Sequence, residues 1–227
     1  MNWLRRLREA PVTLALVVAN LAIYVWMAIV SGTPAGFEPA TMTYFGVNIV
    51  GTGQAVSHWR WLTAAFVHFN LVHIGMNMWV LTQIGAVSER TIGSGPIAAA
   101  YVVTGVFGNM TTTAFNTWRQ HIVPSAGASS AILGLIGLAA AYAWRTQQKG
   151  IARNLAMNLV FVLVLGYFLD LDNAAHIGGF ISGAAIGLAR ARWPQRLPRW
   201  LDGALIGASA TLTIAAFAII RAYHGYH

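Results

Sequence analysis

The chain is 227 residues long, 57% of them hydrophobic and only 9% charged, where a soluble domain carries roughly 25% charged residues. That is too little charge to clothe a soluble surface, and the composition as a whole, with no cysteine, also excludes fibrous, disordered and disulfide-stapled secreted classes. The 14 basic and 6 acidic residues give a net charge of +8, but the basic ones flank apolar runs and form no stripe interleaved with aromatics, which argues against nucleic acid as a partner.

Charge-free stretches predict seven transmembrane helices in chain order: Val12 to Ile29, Leu71 to Val87, Ile97 to Phe115, Ser129 to Trp144, Leu155 to Leu169, Asn173 to Leu188 and Ala204 to Ile220. Seven spans of about 20 residues use about 140 positions, so the length fits one polytopic bundle with short loops. The first run exceeds an ordinary signal-peptide core and no clear small-x-small cleavage site precedes a soluble mature chain, so it is expected to stay as helix one. Ahead of it, Trp3 to Glu9 (WLRRLRE) is basic and amphipathic, an anchor for an anionic leaflet. The segment from Glu38 to Trp59 is rich in Gly, Thr, Pro, Ser and Asn and is expected to be a long outer loop. Its GTG (Gly51 to Gly53) has no βαβ context or following acid and is no nucleotide fingerprint.

With the amino terminus cytoplasmic, the inner side holds Arg5, Arg6, Arg8, Arg90, Arg145, Lys149, Arg153, Arg190, Arg192, Arg196 and Arg199, leaving Arg60, Arg119 and Arg221 outside. That is a strong positive-inside bias. The host is expected to be a bacterial inner membrane, with the site opening outward.

Polar residues inside spans are costly, so their positions point to function. His73 and Asn77 are four apart on helix two and share a face. Ser129 and Ser130 open helix four, and His176 lies about one turn into helix six. Helices two, four and six all run inward, which puts His73, Asn77, Ser129 and His176 at similar depth. A Ser, a His and nearby donors are the parts of acyl transfer. Gly127 lets a substrate backbone approach the serine, and the helix-four amino terminus favours negative charge.

Other chemistries fail on inventory. The chain has no cysteine and no HExxH, and His68 and His73 are five apart, off a shared helix face. All six acidic residues lie at helix ends or in loops, which leaves no carboxylate pair for aspartyl proteolysis. No cofactor or metal is expected.

These residues resemble the rhomboid family of intramembrane serine proteases over about Tyr44 to Gly183. HWRWLTAAFVHFNLVHIGMN (His58 to Asn77) looks like the family's WR loop and HxxxN; SERTIGSG (Ser88 to Gly95) looks like its inner loop; GASSAILG (Gly127 to Gly134) looks like its GxSG; and AHIGGFISG (Ala175 to Gly183) looks like its AHxxGxxxG. The ordered set is specific where each motif alone is weak. The resemblance implies Ser129 as nucleophile, His176 as general base, His73 and Asn77 as oxyanion donors, and membrane-anchored proteins as substrates. Two positions depart from the pattern: Ser130 stands where the family usually has Gly, and Leu133 where many members carry an aromatic on the histidine.

Several residues have plainer readings. Ser130 is expected to pack, and Gly179 and Gly183 to bring helix six close to helix four. Asp172 is expected to cap helix six, leaving a Ser/His dyad without an acid. For His68, contact with water or substrate and a structural role are both open. His58, His121, His224 and His227 are expected to face solvent, Trp59 and Arg60 to be an interfacial pair, and Glu89 with Arg90 to be a surface ion pair or cap. The expected architecture is all-α: an amphipathic segment (1–10), a six-helix rhomboid-like core (11–192), and a linker with a seventh, carboxy-terminal transmembrane helix (193–227). The expected function is hydrolysis of peptide bonds in or beside a substrate's transmembrane segment; the rival is a catalytically silent rhomboid-like protein that binds membrane clients.

Overall fold

The break at Gly93, where φ is +115°, separates two of the seven long helices found in the computed structural model, which describes residues 7–50, 57–193 and 196–225. In chain order these are α1 (Pro11–Ser31), α2 (Leu71–Ile92), α3 (Ser94–Arg119), α4 (Ser129–Arg145), α5 (Lys149–Phe168), α6 (Asn173–Arg190) and α7 (Arg199–Gly225). Each overlaps one charge-free stretch of the sequence. Several run past it because Arg90, Arg119, Arg145 and Arg190 sit in last turns, where a cation suits the helix dipole.

Helix starts follow local chemistry. Pro11 opens α1, at a position whose missing N–H costs nothing. The Asn70 side chain accepts the His73 N–H at 2.9 Å to cap α2, and Asp172 caps α6 through the Ala175 N–H at 3.0 Å.

Helix α4 is the centre of the bundle. It is buried along most of its length and packs on α2, α3, α5 and α6. Its approach to α6 rests on a stripe: Cβ atoms at Gly179, Gly183 and Gly187 would strike the carbonyls of Ser130, Gly134 and Leu138. Both sets are spaced by four residues, so two helix faces lie backbone to backbone.

Three of the described helices, α1, α5 and α7 (through Ile220), are long and apolar enough by length and composition alone to cross a membrane. The other four spend interior positions on glycine and polar residues such as Thr104, Asn109 and Thr112, which lowers their hydropathy while they bond inside the bundle. Large apolar side chains such as Ile29 on α1, Phe161 on α5 and Ile214 on α7 are more than half exposed. This integral membrane protein presents them to lipid.

The segment from Glu38 to Trp59, expected to be a loop, carries structure of its own. It forms a short helix (Pro39–Tyr44) and strand β1 (Asn48–Val50), which pairs antiparallel with β2 (Val123–Ser125) in the register Asn48↔Ser125. Gly51 to Gly53, like Trp3 to Arg6, lie outside the described residues. Arg60 is more than an interfacial cation: its Nη1 donates to the carbonyls of Thr43 (3.1 Å) and Val47 (3.0 Å), and its guanidinium lies 4.5 Å over the Trp59 ring. The guanidinium thus supplies donors to two loop carbonyls.

Glu89 is a cap, and the surface ion-pair reading of it is wrong. It is buried, and its carboxylate accepts the N–H groups of Val12 (3.0 Å) and Thr13 (2.7 Å) at the start of α1, with the hydroxyls of Thr13 and Ser94, each at 2.7 Å. A helix amino terminus offers unpaired donors and favours negative charge, so a buried carboxylate is satisfied there. Arg90 instead faces Glu9 at 3.5 Å.

Candidate active site

The amino-terminal ends of α2, α4 and α6 meet at one end of the bundle, and the sequence-predicted residues meet with them. Ser129, in the first turn of α4, is half-buried, and its Oγ lies 2.9 Å from Nε2 of the buried His176 on α6. A Ser hydroxyl can donate to that nitrogen when the imidazole proton is on Nδ1, the arrangement in which the ring acts as a base. Nδ1 has no hydrogen-bond partner among the described residues.

His73 and Asn77 lie beside the serine loop. Gly127 has φ of +124°, and a Cβ there would sit 2.7 Å and 2.8 Å from Cε1 and Nε2 of His73 and 3.7 Å from Nδ2 of Asn77. Only glycine fits both that backbone and that contact. The His73 ring stacks on Phe69, centroids 5.6 Å apart. Asn77 is buried, and its Nδ2 donates to the His73 carbonyl at 3.0 Å, which leaves its second amide hydrogen for another acceptor.

His68 does not touch water. It lies before α2 with no exposed surface; its Nε2 accepts the Ala128 N–H at 3.4 Å and its Nδ1 is 3.2 Å from the Phe66 carbonyl. Burial, with the nearby His73 adding to it, lowers its pKa to about 3, against a smaller opposing effect of the Phe66 hydrogen bond. A neutral ring with its proton on Nδ1 satisfies both contacts. With the Gly127 N–H held by the Ala64 carbonyl at 2.9 Å, His68 fixes the two residues before the serine. Sequence spacing leaves this role open because it says nothing about a loop 60 residues away.

Asp172 caps α6 as expected, and its second oxygen accepts the Ser125 hydroxyl at 2.5 Å. Ser125 is a residue that sequence reasoning missed; its one signal is its place four residues before Ser129. Ser130 is buried between Gly108 and Gly179, a packing position, and Leu133 is buried as well. His58 and His121 are exposed, while the His224 side chain and His227 lie outside the described residues. No group of three or more His, Asp or Glu side chains that could hold a metal occurs among the described residues.

The chain is similar in sequence to known proteins. The family model described as the Rhomboid domain matches residues 55–193. A rhomboid protease GlpG of Photorhabdus laumondii is 30% identical over 86% of this chain and 66% of its own length. A rhomboid-like protease 2 of Toxoplasma gondii is 32% identical over 78% of this chain and 63% of its own, and a rhomboid protease GluP of Bacillus subtilis is 31% identical over 82% and 36%. The chain therefore spans less than two thirds of the length of these three relatives.

Proposed function

The chain belongs to the rhomboid family, and on that premise we propose that it is an intramembrane serine endopeptidase that cuts membrane-anchored proteins in or beside a transmembrane segment. The observation that carries this reading is the 2.9 Å approach of Ser129 Oγ to His176 Nε2. His176 takes the proton of Ser129 as Oγ adds to the scissile carbonyl. The resulting oxyanion is stabilised by His73 and Asn77 and by the amino-terminal amides of α4. His176 then returns the proton to the leaving amine, and an acyl-enzyme remains. Water, deprotonated by His176, adds to that ester, and Ser129 leaves with the proton.

The dyad acts without a third acid: Asp172 caps α6 and bonds Ser125, and His176 Nδ1 has no acceptor among the described residues. Gly127 lets the serine loop lie against His73 and Asn77 rather than leaving room for a substrate backbone, while Gly179 and Gly183 keep His176 near Ser129. The functional core is residues 11–192, in a bacterial inner membrane with the amino terminus cytoplasmic and the site opening outward. A substrate helix must unwind to present its carbonyl, so helix-destabilising and small residues at the cleavage site favour turnover. The test is incubation of the purified protein with a panel of single-span substrates beside Ser129→Ala. Cleavage by the first and not the second is expected; equal behaviour of the two refutes the proposal.

A further inference from the structure

Two hydrogen bonds of identical sequence separation, 47 residues, join the segment leading into α4 to the start of α6: Ser129 to His176 at 2.9 Å, and Ser125 to Asp172 at 2.5 Å. Each partner of the second bond lies four residues before its counterpart in the first. We infer that Ser125 and Asp172 are positioning residues, a clamp that sets the alignment of the Ser129–His176 pair. This rests on the reading of that pair as the reactive dyad.

The clamp has work that a helix cap does not explain. One Asp172 oxygen suffices for the cap, at 3.0 Å from the Ala175 N–H, yet the other takes the Ser125 hydroxyl at 2.5 Å, the length of a charge-assisted O–H···O⁻ bond. Ser125 is buried on β2, opposite Asn48, and its hydroxyl is also 3.3 Å from Asn109 Oδ1. Asn48 in turn donates to Thr113 Oγ1 at 3.1 Å, so the Ser125 side of the clamp is anchored on α3.

Neither arm of the ring can absorb slack. Between Ser125 and Ser129 the backbone is held at Gly127 by Ala64 (2.9 Å) and at Ala128 by His68 (3.4 Å). Between Asp172 and His176 lies one helical turn, closed by the His176 N–H on the Asp172 carbonyl at 3.1 Å. The His176 ring needs this help. Many catalytic histidines are oriented by an acceptor on the far nitrogen, but here Nδ1 has no partner among the described residues. Alignment must then come through the backbone that carries the ring.

The test separates the clamp from the cap. Ser125→Ala removes the clamp and leaves the cap; Ser125→Thr keeps the hydroxyl; Asp172→Asn keeps a capping oxygen but loses the charge-assisted bond. Fluorophosphonate labelling of Ser129 and kcat for a single-span substrate are measured on the folded fraction of each. Ser125→Ala and Asp172→Asn are expected to lower both about tenfold or more with KM little changed, as a displaced reacting group does. Ser125→Thr should recover most of the loss, and Ser125→Ala combined with Asp172→Asn should be no slower than Asp172→Asn alone. Wild-type labelling and kcat in both single variants overturn the clamp, as do additive losses. If Ser125→Ala fails to fold, Asp172→Asn alone decides by the same criterion. Ser129→Ala is the separate control: labelling that persists there refutes the dyad reading on which the clamp rests, whereas labelling that is lost in Ser129→Ala and unchanged in Ser125→Ala and Asp172→Asn refutes the clamp alone.

Discussion

The Nε2 atom of His68 accepts the backbone N–H of Ala128, the residue immediately before Ser129, so a buried imidazole outside the dyad holds the loop that presents the serine. His68→Ala would leave the Ala128 N–H buried without its partner, at about 1–3 kcal/mol. A lower unfolding midpoint and slower labelling of Ser129 in the folded fraction are expected. The same ring gives a pH signature. Its folded pKa of about 3 lies below the ordinary histidine value of 6.5, so the unfolded chain binds the extra proton first. The stability it contributes is fully present above about pH 6.5 and declines as pH falls toward 3. Unfolding between pH 7 and pH 4 should therefore depend less on pH in His68→Ala; an unchanged slope contradicts this.

Gly127→Ala places a methyl group 2.7 Å from the His73 ring on a backbone with φ of +124°. Strain of about 1–3 kcal/mol is expected, relieved by shifting His73 away from the loop, and turnover should fall more than stability. Equal turnover per folded molecule would show that neither the contact nor the loop conformation matters for the reaction.

Asn77→Ala removes an amide that the proposed oxyanion site uses. A loss of up to about 3 kcal/mol in transition-state stabilisation, roughly a hundredfold in kcat, is the expected scale for one such donor, with KM little altered. Steady-state cleavage kinetics check this, and unchanged kcat removes Asn77 from the role.

Glu89→Ala takes away the acceptor of two α1 amides and of the hydroxyls of Thr13 and Ser94. A destabilisation of about 2–4 kcal/mol is expected, with cleavage per folded molecule preserved because Glu89 lies in the last turns of α2, against the α1 amino terminus, and bonds no residue of the dyad. Thermal unfolding and an activity assay normalised to folded protein separate the two effects.

Helix positions were legible because the few charges sit where spans end, and the meeting of Ser129, His176 and His73 was legible because three helices of like direction begin with them. The glycine stripe of α6 could be read from the spacing of Gly179 and Gly183, although Gly187 and its exact partners on α4 could not. What stayed hidden depends on which distant segments meet. Glu89 reads as an ordinary acid at a helix end until the α1 amino terminus is seen above it, and His68 reads as an interfacial histidine until Ala128 closes over it. Ser125 carries no sequence signal stronger than its distance from Ser129, since its partner lies 47 residues away. The segment from Glu38 to Trp59 hid its short strand because three residues of β1 are too few to leave a period.

Fluorophosphonate labelling of the intact protein, with the modified residue located by mass spectrometry, tests the Ser129–His176 dyad most directly. Modification of Ser129 in the wild type, and its loss in Ser129→Ala and in His176→Ala with the fold retained, is the predicted result. Labelling of Ser129 that persists at the wild-type rate in His176→Ala, or a wild-type protein that takes no label while remaining folded and binding membrane proteins, would contradict it.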